Sequence, residues 1–163
     1  MNAPHAAPDH RPAADPVVIT GTGLVSALGC DAGAALDTIA AVHSIIEKQA
    51  GVGNVWSIET LRRWLAEKAG RSDVAILKEY VDLLPEYLVR RFISKDQDAV
   101  VVSGRVPDLD SSQILPTVEK LDAAMNTVRS AHPGYSIAVT GLSAIAARNS
   151  ANMIGKLNHG LTI

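Results

Sequence analysis

The residues able to do chemistry are few and scattered. The one cysteine, Cys30, lies in the run LGCDAG, and a thiol becomes a working nucleophile only where its setting activates it. His43, His132 and His159 are widely spaced in the chain. They are assigned to surface or helix-end positions rather than to a metal. Asp108 and Asp110, in PDLDSS, are close in sequence. A glycosidase pair must face across a cleft, whereas helix capping and complement to a helix dipole need only this local arrangement, so capping is the expected role. The stretch GTGLVSALG, residues 21 to 29, lacks the lysine and hydroxyl ending of a P-loop and the G-x-G-x-x-G spacing, and reads as a plain glycine turn. The basic pairs Arg62–Arg63 and Arg90–Arg91 read as solvated helix faces, with a lipid-headgroup or partner contact as the alternative. No catalytic, cofactor-binding or metal-ligating residue is therefore predicted, and no cofactor.

Composition narrows the classes further. The chain has 163 residues, enough to bury a sizeable core as one domain. A formal charge of −2 and an aromatic content of 4% argue against a nucleic-acid partner. A single cysteine excludes an internal disulfide framework. The opening MNAPHAAPDHRPAADP has no apolar core of a signal peptide, and residues 1 to 15 are expected to form a disordered tail. No apolar window is long enough to span a bilayer, so the chain as given is expected to be soluble.

The elements that must position any site follow from apolar periodicity. PVVIT, from Pro16, reads as a strand. Leu36, Ile39, Val42 and Ile46 recur at helical spacing. VGNVW is a short strand, and Ser57 caps a helix IETLRRWLAEKA that Gly70 ends. A further helix follows Ser72 or Asp73, with Ile76, Leu77, Tyr80, Val81 and Leu84 inward, and Pro85 interrupts it. DAVVVSGRV is a strand by its valines. Ile114, Val118, Leu121, Met125 and Val128 form one apolar stripe of a long helix, with Pro116 expected near its first turn. YSIAVTG is the last strand, and LSAIAARNSANMIGKLNHGL a helix rich in small residues. In that helix Ala144, Ala146, Ala147, Ser150, Ala151 and Gly155 read as close packing on the sheet, with a moving linker as the alternative. Two β-α-β units are thus expected in one α+β domain, residues 16 to 163, forming a ferredoxin-like sandwich with extra helices.

Two resemblances are carried by particular residues. Thr20, Gly21, Gly23, Val25, Ser26, Leu28 and Gly29 are similar to the N-terminal strand and turn of the β-ketoacyl synthases. That family needs a nucleophilic cysteine in a Thr-Ala-Cys-Ser-like turn well downstream, and two histidines. Here Cys30 directly follows the opening and no H-G-T-G-like turn occurs in the second half, so the resemblance implies a strand without the chemistry. From Thr38 onward, AAVHSIIEKQAGVGNVWSIETLRRWL, YVDLLPEYLVRRFISKD, AVVVSGRVPDLDSSQILPTVEKLDAAM and VTGLSAIAARNSANMIGKLNHGL, in that order, resemble the periplasmic porter region of RND-superfamily exporters, the branch that includes MMPL and hopanoid-associated transporters.

The second resemblance implies a non-enzymatic segment lying on the periplasmic side of the inner membrane in a full-length exporter of lipids or other hydrophobic molecules. Its implied partners are the exporter's membrane domain and the hydrophobic substrate, with a homo-oligomer also open. The segment alone would not transport, since that family's proton relay lies in membrane helices. Either two pieces join near residues 30 to 38, or PVVIT serves as the first strand of the porter fold. The alternatives to the exporter reading are a truncated β-ketoacyl synthase and a stand-alone ferredoxin-like binding module.

Overall fold

Local signals decide where the elements begin and stop. The computed structural model describes residues 14–20, 32–95, 99–107 and 110–160. Its elements are β1 (Ala14–Thr20), α1 (Ala32–Lys48), β2 (Gly53–Trp56), α2 (Ile58–Ala69), α3 (Val74–Leu83), α4 (Glu86–Val89), β3 (Ala99–Arg105), α5 (Ser111–Ala131), β4 (Ser136–Val139) and α6 (Leu142–Gly160). Helix α2 opens with a reciprocal cap: the Ser57 hydroxyl oxygen accepts from the Glu59 amide at 3.0 Å, and the Ser57 amide donates to the Thr60 hydroxyl at 3.1 Å, so two amides that a helix start leaves free are satisfied. Gly70, at φ 66°, closes it in the left-handed conformation that favours glycine. The Asp73 carboxylate accepts from the Ile76 amide at the start of α3. Leu84 leaves that helix at ψ 144° because the proline after it disfavours helical geometry.

Helix α5 is the longest element. The Gln113 side chain accepts from the Asp110 amide at 3.3 Å, so Asp110 sits at the cap, as its position in the sequence suggests. Pro116 lies inside the helix rather than at its first turn, so it cannot return a hydrogen bond to Ser112. The apolar stripe runs on regardless: Ile114, Val118, Leu121, Met125 and Val128 are all buried. Burial of that face outweighs one missing backbone bond.

The sheet is antiparallel throughout, in the order β2-β3-β1-β4. The opening strand is thus an inner one, and the chain's first described residues are built into the fold. It begins at Ala14, so Ala14 and Asp15 belong to it rather than to the expected tail; residues 1 to 13 lie outside the described residues. Val17 stands opposite Val102 and Val139, and Ile19 opposite Val100 and Ile137. Alternation along β3 and β4 places Val100, Val102, Ile137 and Val139 on one buried face. Helices α1 and α5 pack over it, and Val118, Leu121 and Met125 share its core with Leu36, Ile39 and Val42. The β4 edge is blunted: Arg129 donates to the Ile137 carbonyl at 2.9 Å and Arg148 to the Val139 carbonyl at 3.1 Å, which occupies groups that would otherwise template another strand.

At the other side, β3 changes partners. Its last residues pair with β2, Ser103 with Trp56, across a register shift. Its first residues meet Phe92–Ser94 instead: Ile93 bridges Val100, and the Val101 amide donates to the Phe92 carbonyl at 2.8 Å. At Gly104 the backbone is closely covered, since a Cβ there would lie 2.5 Å from Cγ1 of Val52, which follows α1, and 3.0 Å from Cγ2 of Ile46 in α1. Two substitutions test this packing in urea unfolding. Leu121→Ala should cost about 2–5 kcal/mol, and Gly104→Ala about 1–3 kcal/mol by overpacking. A loss below about 0.5 kcal/mol for Leu121→Ala, within surface-substitution range, would mean the helix face is wrong.

Candidate functional site

The start of α2 carries more than a cap. Ser57 is buried against His43 of α1, and its oxygen lies 2.8 Å from His43 Nδ1. On the other side of the ring, Nε2 stands 3.2 Å from Glu47 Oε1. A carboxylate only accepts, so Nε2 carries the hydrogen, Nδ1 is bare, and the Ser57 hydroxyl donates to it. Glu59, 2% exposed, accepts from Arg62 Nε and Nη2 at 2.6 and 2.9 Å and from Arg63 Nε at 3.0 Å. Arg63 in turn reaches both oxygens of Glu47 at 3.0 and 2.9 Å. A chain of charges and dipoles thus runs from α1 through the cap of α2 and back to α1.

The protonation of this knot follows from its setting. Burial pushes the His43 pKa below its ordinary value, with the Arg63 charge adding to it and Glu47 partly opposing. Burial also works against charge on Glu47, but the Arg63 hydrogen bond and the neighbouring His43 and Arg63 outweigh it, and its carboxyl sits below the usual range. A neutral imidazole between a hydroxyl and a carboxylate has the ingredients of a nucleophilic serine site. Ser57, however, is 1% exposed and its oxygen already accepts the Glu59 amide. In this state the chain acts as a clamp between two helices.

Beside the clamp, helices α2 to α4 enclose a pocket of about 660 Å³ against β2 and β3, within the range of ~300–1,000 Å³ usual for small-molecule sites. Its apolar walls are Leu61 and Trp64 from α2, Val81 and Leu84 around the end of α3, and Leu88 and Val89 from α4. Trp56 and Ile58 flank the cap, and Phe92 and Ile93 come from the segment that takes over the edge of β3. Trp56 and Trp64 are 56% and 48% exposed, and Trp64 meets Tyr80 edge to face at 6.2 Å. The polar wall is Asn54, Ser57, Thr60 and Ser103, with Arg91 and Arg105. Asn54 has φ 48°, a left-handed conformation that asparagine tolerates better than most residues, at the point where the β2 register shifts.

The residues singled out from sequence fall in several places. His43 is buried, not at the surface, because Leu36, Ile39 and Val42 bring its helix face into the core and Ser57 meets its ring. Arg62 and Arg63 are not simply solvated, since both neutralise the buried Glu59. Arg90 pairs with Glu86 on an exposed face, whereas Arg91 lines the pocket. His132 ends α5, its amide donating to the Val128 carbonyl. Of the small-residue run, Ala146 and Ser150 are exposed rather than packed and Ala151 is half-buried. Ile145, Met153 and Ile154 on the same helix are also exposed. Cys30, Asp108, the GTGLVSALG turn and the side chains of Ala144, Ala147, Gly155 and His159 lie outside the described residues.

Sequence periodicity missed the pocket, yet a signal was present. Every aromatic residue except Tyr135 falls between Trp56 and Phe92, and three of these, Trp56, Trp64 and Phe92, line it. Among the described residues, no group of three or more His, Cys, Asp and Glu is placed to hold a metal ion, and no helix is long and apolar enough to cross a membrane. Comparison with protein-family models, curated proteins and solved structures gave no match.

The clamp predicts two behaviours. Ser57→Ala strands the His43 ring and the Glu59 amide together and should cost about 1–3 kcal/mol, as a lost cap with buried groups left unpaired does. A change within about 0.5 kcal/mol, the range of neutral surface changes, would show that the cap is solvated. His43 has a folded pKa below its unfolded one, so the unfolded chain binds the proton first and stability rises with pH between the two values. Stability should therefore fall as pH drops below about 6.5 and level off beneath the folded pKa. In His43→Gln that part of the curve should be flat, whatever its absolute height; an unchanged slope would assign it to another group.

Proposed function

We propose that this chain is a non-enzymatic, porter-like segment of an RND-type exporter of lipids or other hydrophobic molecules, built as a ferredoxin-like sandwich with added helices. Two units, β1-α1-β2 and β3-α5-β4, interleave in one sheet as β2-β3-β1-β4, the arrangement expected when two β-α-β halves share a sheet. Helices α2 to α4 are the insertion between the halves, and α6 is the addition after the second. The single observation that carries the function is the pocket: an insertion between the halves lines a cavity with two tryptophans, a phenylalanine and several aliphatic side chains, which suits an apolar ligand.

In the whole protein such a segment would border the substrate's path on the periplasmic side of the inner membrane, docked on the membrane domain. The exposed apolar residues Ile145, Met153 and Ile154 of α6 fit a helix that meets further protein. The same pocket also favours a second reading, a stand-alone ferredoxin-like binding module. The truncated β-ketoacyl synthase keeps only its own test, acyl transfer that disappears in Cys30→Ala.

Because the chain's two tryptophans both line the pocket, their emission reports on it directly. A neutral long-chain alcohol, dodecanol, should shift that emission to the blue and saturate, and Leu61→Glu should abolish the shift while leaving the circular dichroism unchanged. An emission spectrum indifferent to dodecanol and to charged dodecyl amphiphiles alike would remove the hydrophobic-path reading. To separate exporter from free module, the chain is expressed with the codons that follow it in its gene: the exporter reading expects the product in the membrane fraction, the module reading expects it outside.

A further inference from the structure

The pocket wall is not uniformly apolar, and its charge has one sign. Arg91 and Arg105 line it, together with Asn54, Thr60 and Ser103, and no acidic residue does. The other arginines among the described residues are engaged: Arg62 and Arg63 with Glu59, Arg71 with Asp73, Arg90 with Glu86, Arg129 with Asp122, and Arg148 with the Val139 carbonyl. Among the described residues, no carboxylate takes either Arg91 or Arg105. Both arginines are exposed and stand at a cavity whose remaining surface is mostly hydrocarbon. They come from separate parts of the chain, Arg91 from the turn after α4 and Arg105 from the last residue of β3.

That combination has one complement. Hydrocarbon walls take an acyl chain, while two forked donors of the same sign take an oxyanion with an oxygen for each. A neutral lipid would leave both guanidiniums unanswered, and a cationic amphiphile would meet them at cost. We propose that the pocket binds a single-chain amphiphile with a carboxylate head, a long-chain fatty acid or its analogue, with the head held by Arg91 and Arg105 and the chain laid along Trp64, Leu61, Leu88 and Phe92. The proposal rests on the reading of this pocket as a hydrophobic-ligand site and names the class of ligand it prefers.

Tryptophan emission of the full chain is titrated, below micelle formation, with dodecanoate, dodecanol, dodecyl phosphate and dodecyltrimethylammonium. Dodecanoate should bind at least about tenfold more tightly than dodecanol, as a charge-assisted hydrogen bond allows. Arg91→Gln and Arg105→Gln should each weaken dodecanoate by about tenfold and leave dodecanol unchanged; both side chains are exposed, so folding is checked by an unaltered melting curve. Added salt should weaken dodecanoate and leave the neutral dodecanol unaffected. Lengthening the carboxylate should tighten it by up to about fourfold per methylene while the chain still fits. Equal affinity for dodecanoate and dodecanol, or arginine variants that bind dodecanoate normally, would overturn this proposal and leave the hydrophobic pocket standing. Tighter binding of dodecyl phosphate or of the cation would overturn the carboxylate assignment. Silence toward all four probes would remove the pocket reading as well.

Discussion

Glu59 is the constraint on which the arrangement turns. A carboxylate with 2% exposure cannot be left charged and unpaired without a penalty of several kcal/mol. It is met by Arg62 and Arg63 one turn further along its own helix, and Arg63 is tied to Glu47 of α1. The same helix start is bonded to His43 of α1 through Ser57. Two polar links therefore fix how α2 lies against α1, and α1 is fixed by its apolar face on the sheet. Once α2 is set, Leu61 and Trp64 are turned toward α3, α4 and the edge of β3. The pocket follows from the clamp together with the packing of α2 on α3, where Leu65 and Leu77 are buried in the core and Trp64 meets Tyr80.

This division of labour matches the composition. The face between the sheet and helices α1 and α5 is built of buried Val, Ile, Leu, Met and Ala, with Tyr135 as a partly buried aromatic against the core. The other aromatics are gathered in the stretch from Trp56 to Phe92, where helices α2 to α4 cover only part of the sheet edge. A short β2 with a register shift leaves room for Phe92–Ser94 to take over as the neighbour of β3. The pocket lies beside both neighbours, lined by Asn54 and Trp56 from β2 and by Phe92 and Ile93.

Much of the architecture is legible in the sequence because it rests on local periodicity. The stripe from Ile114 to Val128, the cap at Ser57 and the stops at Gly70 and Pro85 each depend on neighbours within a few residues. Pro116 is displaced from its expected place because a strong apolar face overrides a single lost bond. The candidate site was far less legible. His43 looks like an ordinary helix residue until Ser57 is brought to it, and Arg62–Arg63 look solvated until the burial of Glu59 is known. The pocket joins Trp56, Val81, Leu88, Phe92 and Arg105, residues from separate elements whose meeting no short-range pattern encodes.

If the Ser57–His43–Glu59 clamp belongs to the core and holds α2 in place, native-state hydrogen exchange at the Glu59 amide, whose hydrogen is held by Ser57 Oγ, will report it. This amide should exchange only when Val42, in the buried face of α1, also exchanges, with the same opening free energy and the same dependence on denaturant, as members of one cooperative unit do. Exchange of Glu59 through a separate, low-energy opening while Val42 stays protected would contradict it, because α2 would then move independently of the core it is said to be clamped to.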